Sequence, residues 1–324
     1  MAELKVTDTQ FIKLWGELQS ASEVARVTGL NVRRVHTRRR ELEARLGHPL
    51  LAKDHRTTHY YSHVEPRAHS PRLNMRVNNG TVVVFSDAHF WPGVRTTAFK
   101  GLLRLIRELK PTAVINNGDA FDGASISRHA RIGWDSKPSV IEELKCCRDR
   151  LDEIRDAGGK AKYIWPLGNH DARFETFLAA NAPQYENVKG FSLKDHFPEW
   201  EPCWSTWIND GEAVIKHRYK NGVHATHNNT VNAGTTMVTG HLHSLKVTPF
   251  DDYKGTRWGV DTGTLAEPGG PQFVDYMEDN PSNWRSGFVV LTFHKGELLW
   301  PEVVRSRNDG MVEFRGQILS VSKE

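Results

Sequence analysis

Hydrophobic residues in the first 50 positions of the chain recur with the period of an α-helix. A first helix is predicted over residues 9–20, because four large apolar side chains fall on one of its faces. These side chains are Phe11, Leu14, Trp15 and Leu18. Similar patterns predict a short helix over residues 21–27 and a longer helix over residues 32–46. The chain therefore begins with a small helical module.

From residue 81 onward, short runs of branched apolar residues alternate with helix-like stretches. The runs predicted as strands are residues 81–85, 112–116 and 162–167. Predicted helices over residues 95–109 and 138–157 separate these strands. Strands that alternate with helices indicate βαβ units and a mainly parallel sheet.

Beyond about residue 204 the pattern becomes rich in strands. The additional predicted strands cover residues 213–216, 236–239, 245–250, 257–260, 288–293 and 298–304. These patterns predict an α/β fold in which two mixed sheets form a sandwich with flanking helices. The predicted organisation is a helical module over residues 1–60, a linker over residues 61–80 and an α/β domain over residues 81–324.

The composition excludes a membrane-spanning protein. The chain has 324 residues, 38% of them hydrophobic, and a mean hydropathy of −0.54. No apolar run approaches the roughly 20 residues that a membrane-spanning helix needs, and the first residues lack the apolar stretch of a secretory signal. The 3 cysteines form a poor disulfide framework. We therefore expect a cytoplasmic protein with no membrane partner.

Positive charge is concentrated in the N-terminal part of the chain. Residues 1–80 carry 14 lysines and arginines against 8 aspartates and glutamates, whereas the remaining residues carry 29 against 31. Such an uneven distribution favours a polyanionic partner. The predicted third helix holds most of the basic side chains that could make this contact. They are Arg33, Arg34, His36, Arg38, Arg39 and Arg40.

Residues 20–53 resemble the DNA-binding helix-turn-helix of LysR-type regulators. The similarity is closest over residues 40–51, which read RELEARLGHPLL. The resemblance implies that the third helix enters the major groove of DNA. Arg33, Arg34 and His36 would then contact base edges or phosphates, and residues 38–40 mostly phosphates. A protein-interaction module with solvated arginines remains the alternative, and we favour DNA as the partner.

Five short polar motifs follow apolar, strand-like runs in the α/β part of the chain. They are Asp87-Ala88-His89, Gly118-Asp119-Ala120-Phe121-Asp122, Gly168-Asn169-His170-Asp171, His217, and Gly240-His241-Leu242-His243. Sites in open α/β sheets lie at the carboxyl ends of strands, so we expect these motifs to meet. Carboxylate, amide and imidazole groups are ligands of divalent ions, and there are enough of them for two ions. Singly, each motif is typical of an ordinary turn, but their joint occurrence indicates a metal site.

The order of these motifs resembles the calcineurin-like metallophosphoesterase superfamily over residues 81–265. The resemblance implies a four-layer α/β/β/α sandwich and two divalent metal ions. It implies that the first ion is bound by Asp87, His89, Asp119 and His243. It implies that the second ion is bound by Asp119, Asn169, His217 and His241. Mn²⁺ is the expected metal, with Fe, Zn, Ni and Co as alternatives.

The same resemblance assigns roles beside the two ions. His170 would protonate the leaving oxygen or stabilise the transition state, and Arg173 would contact the phosphate. Asp122 and Asp171 would lie behind the ligands, with Asp122 the better candidate to orient His170. Arg218 follows His217, where the family often has glycine, and His224 and His227 compete for the same role. We favour His217 because it ends a strand-like run.

The sequence therefore predicts a binuclear, metal-dependent phosphoesterase. Because the basic module favours nucleic acid, we expect a phosphodiesterase or nuclease that acts on DNA. A phosphomonoesterase acting on a protein or nucleotide is one alternative. A DNA-binding regulator with an inactive phosphoesterase domain is the other, although the complete ligand set argues against it. The sequence makes no prediction of oligomeric state.

Overall fold

The computed structural model of the chain describes residues 6–50, 69–128, 136–277, 281–307 and 310–322. It divides into two compact units, Met1–Ala68 and His69–Glu324. The predicted boundary between residues 60 and 61 lies outside the described ranges. Among the helices within those ranges, none is both long enough and apolar enough to cross a membrane.

The first unit contains the three helices that the sequence predicts. They are α1 (Asp8–Leu18), α2 (Ala21–Thr28) and α3 (Val32–Leu46). Thr7, Ser20 and Asn31 cap the three helix N-termini with side-chain oxygens. The apolar faces of the helices enclose one core, formed by Phe11, Trp15, Val24, Ala25, Val35, Leu42 and Leu50.

Two arginines of α3 are held inside this unit. The Arg38 guanidinium lies 2.8 Å from a carboxylate oxygen of Asp8 and also donates to the Val6 carbonyl at 2.6 Å. The Arg39 guanidinium pairs with Glu43 at 2.8 Å and lies 4.8 Å from the centre of the Trp15 ring. Both side chains therefore connect α3 with α1, and the phosphate contacts of residues 38–40 stay a prediction.

The second unit contains two β-sheets. Its strands are β1 (Leu73–Met75), β2 (Gly80–Phe85), β3 (Ala113–Asn116), β4 (Lys162–Pro166), β5 (Glu201–Cys203), β6 (Thr206–Ile208), β7 (Ala213–Ile215), β8 (Met237–Thr239), β9 (Lys246–Asp252), β10 (Gly255–Asp261), β11 (Gly287–His294), β12 (Glu297–Leu298), β13 (Glu302–Ser306), β14 (Met311–Phe314) and β15 (Gln317–Ser320). Its α-helices are α4 (Thr97–Leu109), α5 (Val140–Gly158), α6 (Arg173–Asn181), α7 (Leu193–His196), α8 (Ala225–Ala233) and α9 (Val274–Met277).

The first sheet has the strand order β15-β14-β13-β11-β2-β3-β4-β5, and β12 pairs with β11. Strands β2, β3, β4 and β5 are parallel, whereas β2 and the strands on its other side pair in antiparallel fashion. The mainly parallel sheet that the sequence predicts is therefore present in one half only. The parallel half matters most for the site, because it brings three carboxyl ends to one edge.

The second sheet has the order β1-β6-β7-β8-β10-β9. Its outermost strand β1 pairs in parallel with β6, with Leu73 opposite Thr206. This strand lies within residues 61–80, for which the sequence predicts a linker. The apolar side chain of Met75 on this strand is buried in the core between the sheets, so the short segment is part of the second unit.

The two sheets pack face to face, and helices cover their outer faces. Alternate residues of β2 point to opposite sides, with Val82 and Val84 in the core between the sheets and Val83 and Phe85 in the core under α4 and α5. Helix α8 packs on β8, β9 and β10 of the second sheet. The chain thus forms the predicted four-layer α/β/β/α sandwich.

The C-terminal strands differ from the sequence prediction. One strand is predicted over residues 298–304, but the structure has β12 and β13, with Pro301 between them. Proline has no amide hydrogen to donate, and it commonly interrupts a strand ladder. Strands β14 and β15 were not predicted, and they extend the antiparallel half of the first sheet.

Candidate metal centre

The five motifs meet at one edge of the sandwich, where strands of both sheets end. Strands β2, β3 and β4 are neighbours in the first sheet, and each is followed by one motif. Strands β7 and β8 are neighbours in the second sheet, and they are followed by His217 and the Gly240–His243 motif. The parallel pairing of these neighbouring strands puts their carboxyl ends at a common edge.

The backbone is bent sharply at the donor residues. Five of them adopt left-handed φ values: Asp87 (51°), His89 (39°), Asp119 (56°), His241 (71°) and His243 (56°). Each such residue costs about 1–3 kcal/mol, and it persists only where the surrounding structure enforces it. Residues of this kind cluster at functional sites, so their joint occurrence here marks this edge of the sheets as one.

Three glycines let the donor loops approach one another. A Cβ atom on Gly118 would lie 2.5 Å from Nδ1 of His217, and one on Gly240 would lie 2.6 Å from Oδ2 of Asp87. A Cβ atom on Gly168 would collide with the Asp119 carboxylate. The glycine that opens each of these motifs is therefore needed for close approach.

One group of possible ligands is formed by Asp87, His89 and His243, whose donor atoms lie within 4.8 Å of one another. Nε2 of His243 is 3.1 Å from Oδ1 of Asp87. The other Asp87 oxygen accepts hydrogen bonds from the Ser86 hydroxyl and, at 2.9 Å, from the backbone N–H of His241. The carboxylate is thus held with one oxygen turned toward the imidazoles.

A second group is formed by Asp119, His217 and His241, again with donor atoms within 4.8 Å. Nε2 of His217 is 3.0 Å from Oδ2 of Asp119. Nδ1 of His217 donates to the backbone carbonyl of Asn117 at 2.8 Å, which leaves Nε2 as the nitrogen that faces the site. The competing residues His224 and His227 are exposed and belong to no such group among the described residues.

The donor atoms fit a pair of divalent ions. Nε2 of His89 and Oδ1 of Asn169 are buried and have no hydrogen-bond partner. A buried polar group without a partner costs about 1–3 kcal/mol, so such atoms are rare unless a ligand satisfies them. Two carboxylates stand beside these atoms, and a mixed set of oxygen and imidazole donors suits divalent transition metals.

Electrostatics of the buried groups favours bound cations. Burial would raise the pKa of Asp87, but the facing imidazoles of His243 and His217 lower it to about 2. Burial opposes charge on His217, but the carboxylates of Asp119 and Asp87 raise its pKa to about 10. The site therefore holds buried negative charge that requires positive partners.

Asp122 holds two histidines of the site at once. Its Oδ1 atom accepts hydrogen bonds from Nδ1 of His89 and from Nδ1 of His170, both at 2.8 Å. Burial would raise the pKa of Asp122, but these two imidazoles lower it far below its usual value. The sequence suggested that Asp122 orients His170; its contact with His89 was not predicted.

Asp171 joins two of the donor loops. Its carboxylate accepts hydrogen bonds of 2.8–3.1 Å from five N–H groups. The donors are the backbones of Asp119, Ala120, Phe121 and Gly168 and the indole of Trp165. Burial and the nearby charge of Asp119 raise the pKa of Asp171 to about 6. This residue fixes the loop after β3 against the loop after β4.

His170 and Arg173 lie at the edge of the donor groups. Nη2 of Arg173 is 3.1 Å from Nε2 of His170, and its Nη1 donates to the Asp122 carbonyl at 3.0 Å. His170 also forms a third group of possible ligands with His89 and Asp119. Its Nε2 atom is 3.9 Å from Oδ2 of Asp119, and its ring is largely buried.

Two further carboxylates support the site and were missed in the sequence. Glu143 on α5 is fully buried and accepts from the backbone N–H groups of Gly123 and Ala124, which directly follow Asp122. Asp261 at the end of β10 accepts from the N–H groups of Ser244 and Leu245, which directly follow His243. Their sequence contexts, a helix and a strand end, contain no signal for this role.

Four of the solved structures that resemble the chain are 9–12% identical to it in sequence and have TM-scores of 0.36–0.39. No curated protein sequence matches the chain.

Three of these structures illustrate the similarity. Wild-type Vps29 from Entamoeba histolytica complexed with Zn²⁺ is 12% identical, covers 75% of this chain and 99% of its own, and has a TM-score of 0.39. A putative diadenosine tetraphosphatase is 12% identical, with 74% and 100% covered and a TM-score of 0.36. A dimetal phosphatase from Danio rerio is 9% identical, with 76% and 100% covered and a TM-score of 0.37.

The sequence-family comparison is decisive. The Calcineurin-like phosphoesterase family matches residues 80–308, which include all five motifs and most of the two sheets. This family uses a dinuclear metal site, and the clustered aspartates and histidines supply candidate ligands for one. The chain therefore belongs to the calcineurin-like phosphoesterase family and is a metal-dependent hydrolase of phosphoric esters.

Proposed function

We propose that this hydrolase is a phosphodiesterase that acts on DNA. The choice of DNA rests on one observation, the exposed basic face of α3. Arg33, His36 and Arg40 are exposed and lie at positions i, i+3 and i+7, which share one side of the helix. Phosphate groups of a DNA strand are the partners that such a face fits best.

The ligands of the two ions are proposed on the geometry of the donor groups. The first ion would be held by Asp87, His89, Asp119 and His243. The second ion would be held by Asp119, Asn169, His217 and His241. Asp119 would contact both, because its carboxylate lies 3.0 Å from His217 and belongs to two donor groups. When bound, such an ion pair polarises the phosphoryl group and supplies a reactive water at neutral pH.

His170 is proposed as the proton donor to the leaving oxygen. Its Nδ1 atom is engaged by Asp122, so Nε2, which lies beside the Arg173 guanidinium, is the nitrogen that would face the substrate. Burial lowers the pKa of His170, but the charges of Asp119 and Asp122 outweigh it and raise the pKa, so the protonated form is favoured. Arg173 stands beside Nε2 and would draw a phosphate oxygen toward the same place.

Mn²⁺ is the proposed metal. The donors include carboxylate oxygens, an amide oxygen and imidazole nitrogens, and no cysteine belongs to the donor groups found among the described residues. Hard oxygen donors combined with imidazole suit Mn²⁺, and the same set accepts Fe, Zn, Ni or Co.

The substrate proposal is tested by parallel assays on the purified full chain with Mn²⁺. Single-stranded, duplex and nicked DNA are compared with bis(p-nitrophenyl) phosphate and p-nitrophenyl phosphate. We expect DNA to be cut and the phosphodiester to be hydrolysed faster than the phosphomonoester. Faster hydrolysis of the monoester, without DNA binding or cleavage, would instead identify a phosphomonoesterase.

Replacing Asp122 with asparagine is expected to weaken Mn²⁺ binding by about 10–100-fold and to lower kcat as well. Both His89 and His170 lose the anionic acceptor of their Nδ1 protons, so both rings become less basic and less well oriented. Calorimetric titration with Mn²⁺ measures the affinity. The exposed Asp149→Asn variant is the matched control, and equal affinities for the two variants would contradict this role of Asp122.

Arg33→Ala combined with Arg40→Ala is expected to weaken duplex binding about tenfold and to reduce the salt slope of binding by about 1.8, since each phosphate contact contributes about 0.9. The melting temperature should stay the same, because both side chains are exposed. Arg38→Ala should instead lower the melting temperature of the module, because it removes the ion pair with Asp8, and it should weaken duplex binding less. Fluorescence anisotropy and thermal unfolding measure the two effects. A larger binding defect for Arg38→Ala would count against the proposed face.

A further inference from the structure

One long stretch of the second unit contains no acidic residue. Residues 213–250 include no aspartate or glutamate, whereas an even spread of the 31 acidic residues in residues 81–324 would place about five there. The stretch carries Lys216, Arg218, Lys220 and Lys246 together with five histidines. Because this stretch also supplies His217, part of it lies at the metal centre.

The segment that follows His217 is exposed and basic. Arg218, Tyr219 and Lys220 are all exposed, with 43% of the Tyr219 surface accessible. The ring centres of His217 and His241 are 5.4 Å apart, so Arg218 leaves the site beside the second donor group. The segment therefore forms a positive rim on that side of the site.

Two ammonium groups converge on the exposed aromatic ring of this rim. Nζ of Lys216 lies 5.3 Å from the Tyr219 ring centre, and Nζ of Lys220 lies 5.9 Å from it. Cations close to an aromatic face are stabilised by the ring, and they remain able to contact an anion. The ring and its cations thus combine a stacking surface with phosphate-binding groups.

The backbone of the rim is held in place by a buried asparagine of α8. The Asn229 side chain accepts from the Lys220 N–H at 3.0 Å and donates to the Lys220 carbonyl at 3.3 Å, and only 1% of its surface is exposed. A backbone held at Lys220 lowers the ordering cost of binding, because mainly the exposed side chains then have to be immobilised.

We propose that Arg218, Tyr219 and Lys220 form a subsite for the polynucleotide strand that flanks the scissile phosphodiester. The two cations contact backbone phosphates, and Tyr219 stacks on a base. This inference rests on the proposed function, since it assigns the strand-binding residues of the same site. It places substrate selection in the hydrolase domain as well as in the N-terminal module.

The test uses a double variant of the full chain that carries both Arg218→Ala and Lys220→Ala. The control is a double variant of Lys162→Ala with Lys295→Ala, which has the same charge change on exposed residues at the opposite strand ends of the first sheet. Anisotropy of a labelled single-stranded oligonucleotide is measured without metal, in an Arg33→Ala background that weakens the N-terminal module. We expect about tenfold weaker binding and a salt slope smaller by about 1.4, since each single-strand contact contributes about 0.7.

Tyr219 separates base stacking from simple charge attraction. Tyr219→Ala should weaken oligonucleotide binding about tenfold, whereas Tyr219→Phe should keep it, because the ring rather than the hydroxyl stacks. Inorganic polyphosphate, which has no bases, should bind both variants equally. Equal oligonucleotide binding by Tyr219→Ala and Tyr219→Phe would overturn the stacking role.

Hydrolysis distinguishes failure of this subsite from failure of the proposed function. With Mn²⁺, the Arg218 and Lys220 double variant should lose at least about ten times more kcat/KM on the oligonucleotide than on bis(p-nitrophenyl) phosphate. Equal losses on both substrates, or oligonucleotide binding like that of the control, would overturn the subsite while leaving the phosphodiesterase intact. A wild-type chain that cuts the small diester but no DNA would overturn the proposed substrate itself.

Discussion

Asp119→Asn is expected to lower kcat/KM for a phosphodiester by about a thousandfold or more. The Asp119 carboxylate lies 3.0 Å from His217, and it belongs to two of the three groups of possible ligands. An amide has no charge to offset the repulsion between two nearby divalent ions. Loss of about 4 kcal/mol of transition-state stabilisation corresponds to about three factors of ten in rate.

The measurement for Asp119→Asn joins kinetics to metal content. Hydrolysis of bis(p-nitrophenyl) phosphate with Mn²⁺ gives kcat/KM, and elemental analysis gives the metal bound per chain. We expect less bound metal than in the parent protein. Asp149→Asn on the exposed side of α5 makes the same chemical change away from the motifs, and it should behave as the parent does. Normal turnover and normal metal content in Asp119→Asn would refute the role of Asp119 as a shared ligand of the two ions.

His170→Ala is expected to lower kcat by about 10²–10⁴-fold while leaving metal content unchanged. The backbone N–H of His170 donates to Oδ1 of Asp119 at 2.8 Å, and this bond survives the substitution. The ligand loop therefore keeps its anchor when the ring is lost. The proton donor is missing, however, so the leaving oxygen departs as a poorly stabilised anion.

The dependence on the leaving group distinguishes a proton donor from a ligand. p-Nitrophenolate leaves readily without protonation, whereas the alkoxide of a DNA strand does not. The loss in His170→Ala should therefore be larger on DNA than on bis(p-nitrophenyl) phosphate. Loss of bound metal, with equal rate losses on both substrates, would show instead that His170 is a ligand, as its proximity to His89 and Asp119 permits.

Local pattern was sufficient for the elements that carry the motifs. Strand β2 is a continuous apolar run because both of its faces are covered, and the helical period of α1 matches its single buried face. The ends of β3 and β4 were predicted in the same way, from the ends of their apolar runs. Since each motif directly follows such a run, its position in the chain already predicted that the donors would meet at one edge.

Long-range packing decided what adjacent residues cannot encode. The strand Leu73–Met75 was predicted as linker, because three residues are too few to show a strand pattern. Its partner strand β6 lies more than 130 positions further along the chain. Pro301 separated two strands that apolar composition had joined. The ion pairs of Arg38 with Asp8 and of Arg39 with Glu43 were also not predicted from the sequence.

The sequence by itself determined the fold class, the family resemblance and the donor types, because these depend on periodicity and on short motifs. Only the tertiary structure showed which histidine after β7 lies among the donor groups. His217 is buried beside Asp119, whereas His224, which directly precedes α8, is exposed. Only the tertiary structure revealed that one oxygen of Asp122 holds both His89 and His170. These contacts join residues that are 33 and 48 positions apart in the chain. The residues come together only when the strands pair, so no local sequence pattern predicts the contacts.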